Sequence, residues 1–194
     1  MKKVLVLNGS PRPNGNTVAM IKEFVRGAEE GGNIVNVCDV ARMNIHPCVG
    51  CLGGNAQNTS SPCCQKDDMD TVYKYYNECD VVVFATPLYF WNFNAQTKAV
   101  IDRLFATMEG ESPDPSVPAY VYYLQHKEAC LMMPAEEESD ANFQLINHYW
   151  DGFCERMDYT NYGKLLIGNL MEVGDVKQKP EALEAAYKFG RTIK

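Results

Sequence analysis

The residues 1–24, MKKVLVLNGSPRPNGNTVAMIKEF, decide the fold, because they lead from a strand through a short polar loop into a helix. The apolar run at 4–7 predicts a strand that is buried on both faces of a sheet. The next apolar residues recur every three to four positions, which predicts a helix with one buried face: Val18, Ile21, Val25 and Ala28. Two glycines at 31–32 end that helix, and a second strand predicted over 34–40 makes the unit a right-handed parallel crossover.

The same alternation of strand and helix continues along the chain. Further buried strands are predicted over 81–85, 129–133 and 164–167. Helices are predicted in 67–80, from Asn94 to Met108, around 143–153 and from Pro180 onward. The tyrosine-rich segment 119–126 could be either an early part of the fourth strand or a hairpin insertion. Five strands that alternate with helices predict one domain over 1–194, an α/β structure of three layers with a parallel sheet of the flavodoxin-like order 2-1-3-4-5.

Composition excludes several classes of function. The 194 residues are 46% hydrophobic and carry a net charge of -7, which argues against a nucleic-acid surface, because phosphate neutralisation needs clustered lysine and arginine. No apolar run is long enough to span a membrane, and the first apolar run is too short for a signal peptide. Eight cysteines without a secretion signal indicate a reducing cytoplasm.

The loop between the first strand and the first helix has the character of a phosphate site. In the order 2-1-3-4-5, ligands bind at the carboxyl ends of the first and third strands. The loop sequence NGSPRPNGNT brings polar side chains to a helix N-terminus, which favours anions: Ser10, Arg12, Asn16 and Thr17. Gly9 and Gly15 would let the backbone approach the anion. The patterns GK[ST] and G-x-G-x-x-G are absent, so a nucleoside triphosphate or a dinucleotide is not indicated. Alternatively, Asn16 or Thr17 only caps the helix.

The loop after the third strand has the character of a platform for a planar ring. The segment 87–94, PLYFWNFN, carries four aromatic residues at the same predicted sheet edge: Tyr89, Phe90, Trp91 and Phe93. Alternatively, these side chains seal the sheet edge or a subunit interface. Because a phosphate site and an aromatic platform would converge at one point, bound flavin mononucleotide (FMN) explains both loops.

Five segments resemble the NAD(P)H-dependent FMN reductase family, in the branch that includes iron-sulfur flavoproteins: VLVLNGSPRPNGNT, CVGC, DDM, CDVVVFATPLYFWNFNAQTKAVIDR and GNLMEVGDV. The resemblance implies that Ser10, Arg12, Asn16 and Thr17 bind the FMN phosphate. It also implies that the isoalloxazine ring is bordered by Pro87, Leu88, Tyr89, Phe90, Trp91 and Asn92. Lys98, Asp102 and Arg103 lie on the helix that follows, where we expect solvated charge pairs.

An irregular segment at about 44–66 holds four cysteines. In iron-sulfur flavoproteins a third cysteine follows the CxxC pair by three residues, but here that position is Gly54. Cys48, Cys51, Cys63 and Cys64 could hold a [4Fe-4S] cluster, could form a redox-active or zinc-binding loop, or could be free thiols, and we favour free thiols. The other four cysteines are expected in the core: Cys38, Cys79, Cys130 and Cys154. No histidine is assigned to a metal.

The expected activity is transfer of hydride from NADH or NADPH to the N5 atom of bound FMN, followed by reduction of a small-molecule acceptor such as a quinone or a flavin. No catalytic protein residue is expected, because the chemistry belongs to the cofactor. Two alternatives remain open: an electron-transfer flavoprotein without nicotinamide turnover, and a sensing or scaffold protein that has kept the fold without FMN. By resemblance, the protein is expected to form a homodimer or a tetramer, and exposed aromatic residues agree with this.

Overall fold

The computed structural model describes residues 1–109, 111, 115–116 and 124–194. The main sheet consists of β1 (Lys3–Asn8), β2 (Ile34–Cys38), β3 (Val81–Ala85), β6 (Lys127–Pro134) and β7 (Tyr159–Ile167), and a small hairpin consists of β4 (Leu88–Tyr89) and β5 (Asn92–Phe93). The helices are α1 (Asn16–Glu30), α2 (Met69–Glu78), α3 (Ala95–Arg103), α4 (Asp140–Arg156) and α5 (Pro180–Arg191). Among the described residues, no helix is long and apolar enough to cross a membrane.

The main sheet is parallel throughout, and its strands lie side by side in the order β2-β1-β3-β6-β7. Because β6 and β7 are the fourth and fifth strands of this sheet, the predicted order 2-1-3-4-5 is confirmed. The central strands β1 and β3 are almost completely buried, as their continuous apolar runs predict. The carboxyl ends of these two strands therefore lie next to each other, at the point where ligands bind in this topology.

Helices cover both faces of the sheet, because successive side chains of a buried strand point to opposite sides. Leu5 and Leu7 of β1 belong to one core, together with buried residues of α2, α3 and α4. Val4 and Val6 belong to the other core, which they share with residues of α1 and α5. The result is the predicted three-layer arrangement, with a separate apolar core on each side of the sheet.

Several boundaries differ from the predicted ones. The second strand ends at Cys38 rather than at 40, because the chain turns at Asp39, whose carbonyl accepts hydrogen bonds from the N–H groups of Arg42 and Met43. The fifth strand was expected over 164–167 but begins at Tyr159. Its first half carries the polar sequence TNYG, which an edge strand tolerates because one side of it meets solvent.

The helix expected from Asn94 to Met108 is shorter than predicted. The α-helical part ends at Arg103, and a 3-10 turn continues over Leu104–Thr107. Of the tyrosine-rich segment 119–126, residues 119–123 lie outside the described residues, so the choice between a strand extension and a hairpin insertion stays open. Residues 124–126 form no regular structure, and β6 begins directly after them.

The backbones of helices α1 and α5 approach each other closely at Gly27 and Gly190. A Cβ atom built on Gly190 would lie 2.1 Å from the carbonyl oxygen of Phe24, and one built on Gly27 would lie 2.1 Å from the carbonyl oxygen of Tyr187. Both distances are far below van der Waals contact, and in each case the neighbouring atom belongs to a backbone that cannot rotate away. The close packing of these helices therefore depends on glycine at both positions.

This contact gives a prediction for stability. The substitution Gly190→Ala should lower the free energy of unfolding by about 2–3 kcal/mol, because the added methyl group forces two backbones apart. The matched control is Gly152→Ala, which also replaces a helical glycine but meets no atom within 4 Å. That control should stabilise the protein by about 0.5–1 kcal/mol, because alanine has the higher helix propensity. Urea unfolding would measure both changes, and equal effects of the two substitutions would contradict the packing argument.

Candidate functional site

Asn94 joins the ends of β1 and β3. Its side-chain oxygen accepts hydrogen bonds from the Thr97 backbone N–H at 3.1 Å, the Thr97 hydroxyl at 2.8 Å and the Thr86 hydroxyl at 3.0 Å. Its side-chain amide donates to the Gly9 carbonyl. Asn94 is buried and is the N-cap residue of α3. Because Gly9 follows β1 and Thr86 follows β3, this one side chain holds the two predicted binding loops against each other.

The close approach at Gly9 serves this junction. A Cβ atom on Gly9 would lie 1.9 Å from the Thr97 hydroxyl oxygen and 3.1 Å from the Asn94 side-chain oxygen. Glycine is therefore required at this position by the packing of the first loop against the start of α3.

The opening loop is shaped by its own hydrogen bonds. The Asn8 side-chain oxygen accepts from the Ser10 N–H at 3.0 Å, and the Ser10 hydroxyl lies 3.3 Å from the Arg12 nitrogen and 3.2 Å from the Arg12 carbonyl oxygen. The Gly15 N–H donates to the same carbonyl at 3.0 Å. Ser10 is buried, so its principal role here is to fold the loop into a compact turn before α1.

The N-terminus of α1 is open. Gly15 is the N-cap residue, and no side chain caps the helix, so the interpretation that Asn16 or Thr17 serves only as a cap is wrong. The N–H groups of the first turn have no acceptor inside the helix. The Thr17 hydroxyl forms no hydrogen bond with the described residues. N–H donors without a helical acceptor and an uncapped start, with no acidic residue in the first turn, are the features that favour an anion at a helix N-terminus.

Asn16 has a different role from the predicted contact with a phosphate. Its amide nitrogen donates to the carbonyl oxygens of Leu170 at 3.2 Å and Glu172 at 2.9 Å, and its oxygen accepts from the N–H groups of Gly174 and Val176 at 3.2 Å each. With four partners, the side chain is occupied in holding the segment after β7 against the opening loop. The Arg12 guanidinium also reaches this segment and donates to the Met171 carbonyl at 2.9 Å.

The aromatic loop is a tight hairpin that sequence patterns did not predict. β4 and β5 pair antiparallel, and the two residues between them, Phe90 and Trp91, have φ angles of 46° and 60°. Two consecutive left-handed residues form the hairpin turn that matches the twist of the strands, although Asn and Gly usually occupy such positions. This conformation costs bulky residues about 1–3 kcal/mol each, so the surrounding structure must hold the backbone in it.

The four aromatic residues of this loop divide into two groups. Phe93 is buried and packs edge-on against Phe84, with ring centroids 6.0 Å apart. It therefore belongs to the core. Tyr89 and Trp91 are about half exposed, and Phe90 is 93% exposed. These three rings are available for contact with a ligand or with another protein surface.

The two loops enclose a cavity of about 230 Å³ at the carboxyl edge of the sheet. Its lining includes seven of the predicted residues: Ser10, Arg12, Asn16, Thr17, Pro87, Leu88 and Tyr89. Five lining residues were not predicted: Pro134, Ala135, Glu136, Leu170 and Met171. They follow or end β6 and β7, so the rule that parallel strands present their carboxyl ends at one edge could have identified them.

A second, more open cavity of about 620 Å³ adjoins the first, with which it shares Leu88, Tyr89, Ala135 and Glu136. Phe90 and Trp91 line this outer cavity rather than the inner one. Asn92 lines neither, and its side-chain oxygen accepts from the Phe93 N–H at 2.7 Å. The structure thus brings nine of the ten predicted residues to two connected cavities and leaves Asn92 in a local turn.

The residues present fit FMN. The open N-terminus of α1, the free Thr17 hydroxyl and the Arg12 guanidinium provide donors for a phosphate at one end of the inner cavity. Pro87, Leu88 and Tyr89 provide apolar and aromatic surface for a ring at the other end. Polar donors at one end and apolar walls at the other match a molecule with an anionic tail and a planar head.

The cysteine loop is attached to α3 through a buried ion pair. Arg103 is 1% exposed, and its guanidinium donates to the Asp67 carboxylate at 2.6 Å and to the carbonyl oxygens of His46 at 3.1 Å and Gln65 at 3.5 Å. The expectation that Arg103 lies on a solvated face is therefore wrong, because its partners come from a distant part of the chain. Lys98 and Asp102 do form an exposed pair, as expected.

The four cysteines of this loop differ in exposure. Cys63 is buried, whereas Cys48, Cys51 and Cys64 are exposed. Gly54 and Cys63 form an antiparallel bridge, and Cys48, Cys51 and Cys63 line one cavity. Within the described part of the chain, no three potential ligands are arranged to hold a metal ion. With Gly54 at the position of the third cysteine, the loop therefore does not match the [4Fe-4S] motif of iron-sulfur flavoproteins.

Two of these thiols are close neighbours. The sulfur atoms of Cys51 and Cys64 lie 3.4 Å apart. A hydrogen bond with the Gly53 backbone, together with the one to Cys64, lowers the pKa of Cys51, and the contact with Cys51 raises the pKa of Cys64. The four cysteines expected in the core are buried there, and burial raises the pKa of Cys38 and Cys79 to about 11 and that of Cys154 to about 12.

Comparison with known proteins identifies relatives of this chain. The family model described as NADPH-dependent FMN reductase matches residues 2–126. An iron-sulfur flavoprotein of Methanocaldococcus jannaschii is 34% identical over 101 residues, which are 52% of this chain and 51% of that protein. The Bacillus subtilis protein YwqN, whose name describes an NAD(P)H-dependent FMN-containing oxidoreductase, is 24% identical over 194 residues and 96% of each chain.

A solved structure of an NAD(P)H:quinone oxidoreductase from Methanothermobacter marburgensis has the same fold. It superposes with a TM-score of 0.67 at 18% identity and covers 100% of this chain and 96% of its own. At this identity the likeness establishes the flavodoxin-like fold alone. The match to the iron-sulfur flavoprotein spans about half the length of that relative.

The buried pair of Arg103 and Asp67 gives a prediction for stability and pH. Burial raises the pKa of Asp67, but hydrogen bonds from Arg103 and from backbone N–H groups outweigh it and lower the pKa to about 2. Asp67→Asn should cost about 3–5 kcal/mol of unfolding free energy at pH 7, because it leaves the Arg103 charge buried without a partner.

The loss of stability caused by Asp67→Asn should become smaller as the pH falls. An unfolded aspartate has a pKa near about 4, so the stabilisation is complete above about pH 5 and is lost as the pH falls through the folded value. Denaturant unfolding from pH 7 to pH 2.5 should therefore show the difference between wild type and Asp67→Asn shrinking. The control Asp102→Asn removes an exposed carboxylate and should cost less than about 1 kcal/mol. A difference that stays constant with pH would contradict this account of the pair.

Proposed function

The chain belongs to the NADPH-dependent FMN reductase family, and from this premise we propose that it is an FMN-dependent oxidoreductase that uses NADH or NADPH to reduce a small-molecule acceptor. The proposal rests on one observation. An uncapped helix N-terminus and an aromatic hairpin line two adjoining cavities that share lining residues. We further propose that residues 1–194 act as a single FMN-binding domain.

The inner end of the cavity would hold the phosphate. The N–H groups at the start of α1 and the Thr17 hydroxyl would donate hydrogen bonds to it, and Arg12 would contribute positive charge at the rim. Ser10 and Asn16 would act indirectly, because Ser10 folds the loop and Asn16 fixes the segment after β7. This division of roles refines the contact set that the family resemblance implies.

The apolar end would hold the ring. Pro87, Leu88 and Tyr89 line one wall, and Ala135 lines both cavities. FMN, when bound, supplies reversible two-electron chemistry with a nicotinamide as the donor. The protein would orient the ring and keep one face accessible, and the outer cavity of about 620 Å³ offers room for donor and acceptor to bind in turn.

The lining of the two cavities supports a mechanism without an essential protein base. Among the described residues that line them, there is no histidine, lysine or cysteine, and the acidic groups are Glu136 and Glu137, which are exposed at the rim. We also propose that the exposed Phe90 and Trp91 rings pack against a second copy of the chain, because an aromatic pair is rarely left in water.

The proposed function predicts a flavin that nicotinamide reduces. Purified protein reconstituted with FMN should show flavin absorption that bleaches under anaerobic conditions after addition of NADH or NADPH and returns when a quinone is added. Light scattering on the same sample should give a mass above that of one chain. A bound flavin that neither nucleotide reduces would instead favour the alternative function, an electron-transfer protein without nicotinamide turnover.

The role of Thr17 gives a separate prediction about affinity. Thr17→Val keeps the size of the side chain and removes the hydroxyl, so it should weaken FMN binding by about ten- to a hundredfold, the range for a hydrogen bond to a charged group. The control Thr71→Val makes the same change at an exposed position of α2 and should leave the affinity unchanged. Isothermal titration with FMN and with riboflavin separates the contributions, because riboflavin lacks the phosphate. Equal losses for both ligands would contradict a contact with the phosphate.

A further inference from the structure

We propose that Cys51 and Cys64 form a reversible disulfide, which makes the cysteine loop a dithiol redox couple and not a metal site. This inference goes beyond the proposed oxidoreductase activity, and its readout does not require a flavin. It accounts for the thiols that the binding cavities leave unused.

Proximity is the first argument. The sulfur atoms of Cys51 and Cys64 lie 3.4 Å apart, whereas a covalent disulfide needs about 2.05 Å. Both side chains are exposed, so an oxidant in solution can reach them. A shift of little more than 1 Å between two ends of a surface loop would therefore close the bond.

The two halves of the loop are held in register on both sides of this pair. Asn44 and Asp68 bond each other twice, through the Asn44 N–H to the Asp68 carboxylate at 2.7 Å and the Asp68 N–H to the Asn44 carbonyl at 3.1 Å. Beyond the cysteines, the Asn55 N–H donates to the Pro62 carbonyl at 3.0 Å. These contacts keep residues 51 and 64 opposite each other.

The Arg103 guanidinium fixes the base of the loop from within the protein. It contacts the His46 carbonyl before the first cysteine pair, and the Gln65 carbonyl and Asp67 carboxylate after the second. The Gln65 side chain also donates to the Pro47 carbonyl at 3.1 Å. A base that is tied to a buried cation allows the cysteines to change their redox state without unfolding the neighbouring helices.

The other thiols are poor partners for this chemistry. Cys63 is buried, with 8% of its surface exposed, so an oxidant in solution reaches it poorly. The Cys48 sulfur accepts from the Gly50 N–H at 3.4 Å within its own turn. An apolar cavity of about 390 Å³, lined in part by Cys51, Leu52 and Phe105, lies beside the pair and gives access to a small disulfide.

The oxidant is a low-molecular-weight disulfide, such as oxidised glutathione. One protein thiolate attacks a sulfur of the oxidised glutathione, which forms a mixed disulfide and releases one glutathione thiolate. The second protein thiol loses its proton and attacks the protein sulfur of that mixed disulfide, which releases the second glutathione. Two protein thiols are oxidised, one glutathione disulfide is reduced to two glutathione thiols, and excess reduced glutathione reverses both steps.

The experiment equilibrates the full-length protein with a series of ratios of reduced to oxidised glutathione. Acid quenching, alkylation in denaturant and peptide mass mapping then identify which cysteines are linked. Of the eight cysteines, residues 51 and 64 should cease together to be alkylated as the buffer becomes oxidising, and the link should join these two residues. Reduction should restore all eight, and circular dichroism should show the same fold in both states.

Matched variants decide whether the pair is specific. Cys48→Ser changes another exposed thiol of the same loop and should keep the link, with five of its seven cysteines alkylated. Cys51→Ser and Cys64→Ser should each lose the link and instead carry one glutathione on the remaining partner, and Cys64→Ala repeats the test without a hydroxyl. A link between Cys48 and Cys51, a link that includes Cys63, or eight free thiols in the most oxidising buffer would overturn the proposal. Iron bound in stoichiometric amount by these cysteines would overturn it as well.

Discussion

The arrangement of the candidate site depends on the hydrogen bonds of one buried amide, the side chain of Asn94. Its oxygen and nitrogen together engage the Gly9 carbonyl, the hydroxyl groups of Thr86 and Thr97, and the start of α3. A buried polar group of this kind stabilises the structure only when all its partners are present, because each lost partner leaves an unsatisfied atom away from water. The two loops that would bind the two ends of a cofactor are therefore fixed relative to each other by the same side chain that begins the next helix.

The sheet order could be predicted because buried parallel strands have short, continuous apolar sequences that are easy to identify. Few topologies can connect five such strands. The hairpin at Phe90 and Trp91 could not, because left-handed backbone at bulky residues contradicts local preference and is imposed by the surrounding structure. Arg103 was misplaced for a related reason. Its spacing on α3 matches a solvated face, and only its contact with Asp67, 36 positions away, shows that it is buried.

The sequence predicted which residues lie at the candidate site better than it predicted what each side chain does there. Loop composition identified Ser10, Asn16 and Thr17 at the cavity, yet of these three side chains only that of Thr17 forms no hydrogen bond with the residues that the structure describes. Asn16 is occupied by four backbone groups from a segment whose position no local pattern reveals. Pro134, Ala135 and Met171 were missed because small and apolar residues at strand ends carry no chemical motif, and only the three-dimensional edge of the sheet assembles them.

The bonds of Asn16 have a consequence for how the protein is made. They connect residues 154 to 160 positions apart, so the opening loop cannot take its final shape while a growing chain still lacks the segment 170–176. During synthesis on a ribosome, β1 and α1 are made well before the segment 170–176 that they contact. Such long-range closure slows folding, and it also means that the opening loop reaches its final shape only after the segment 170–176 has been synthesised.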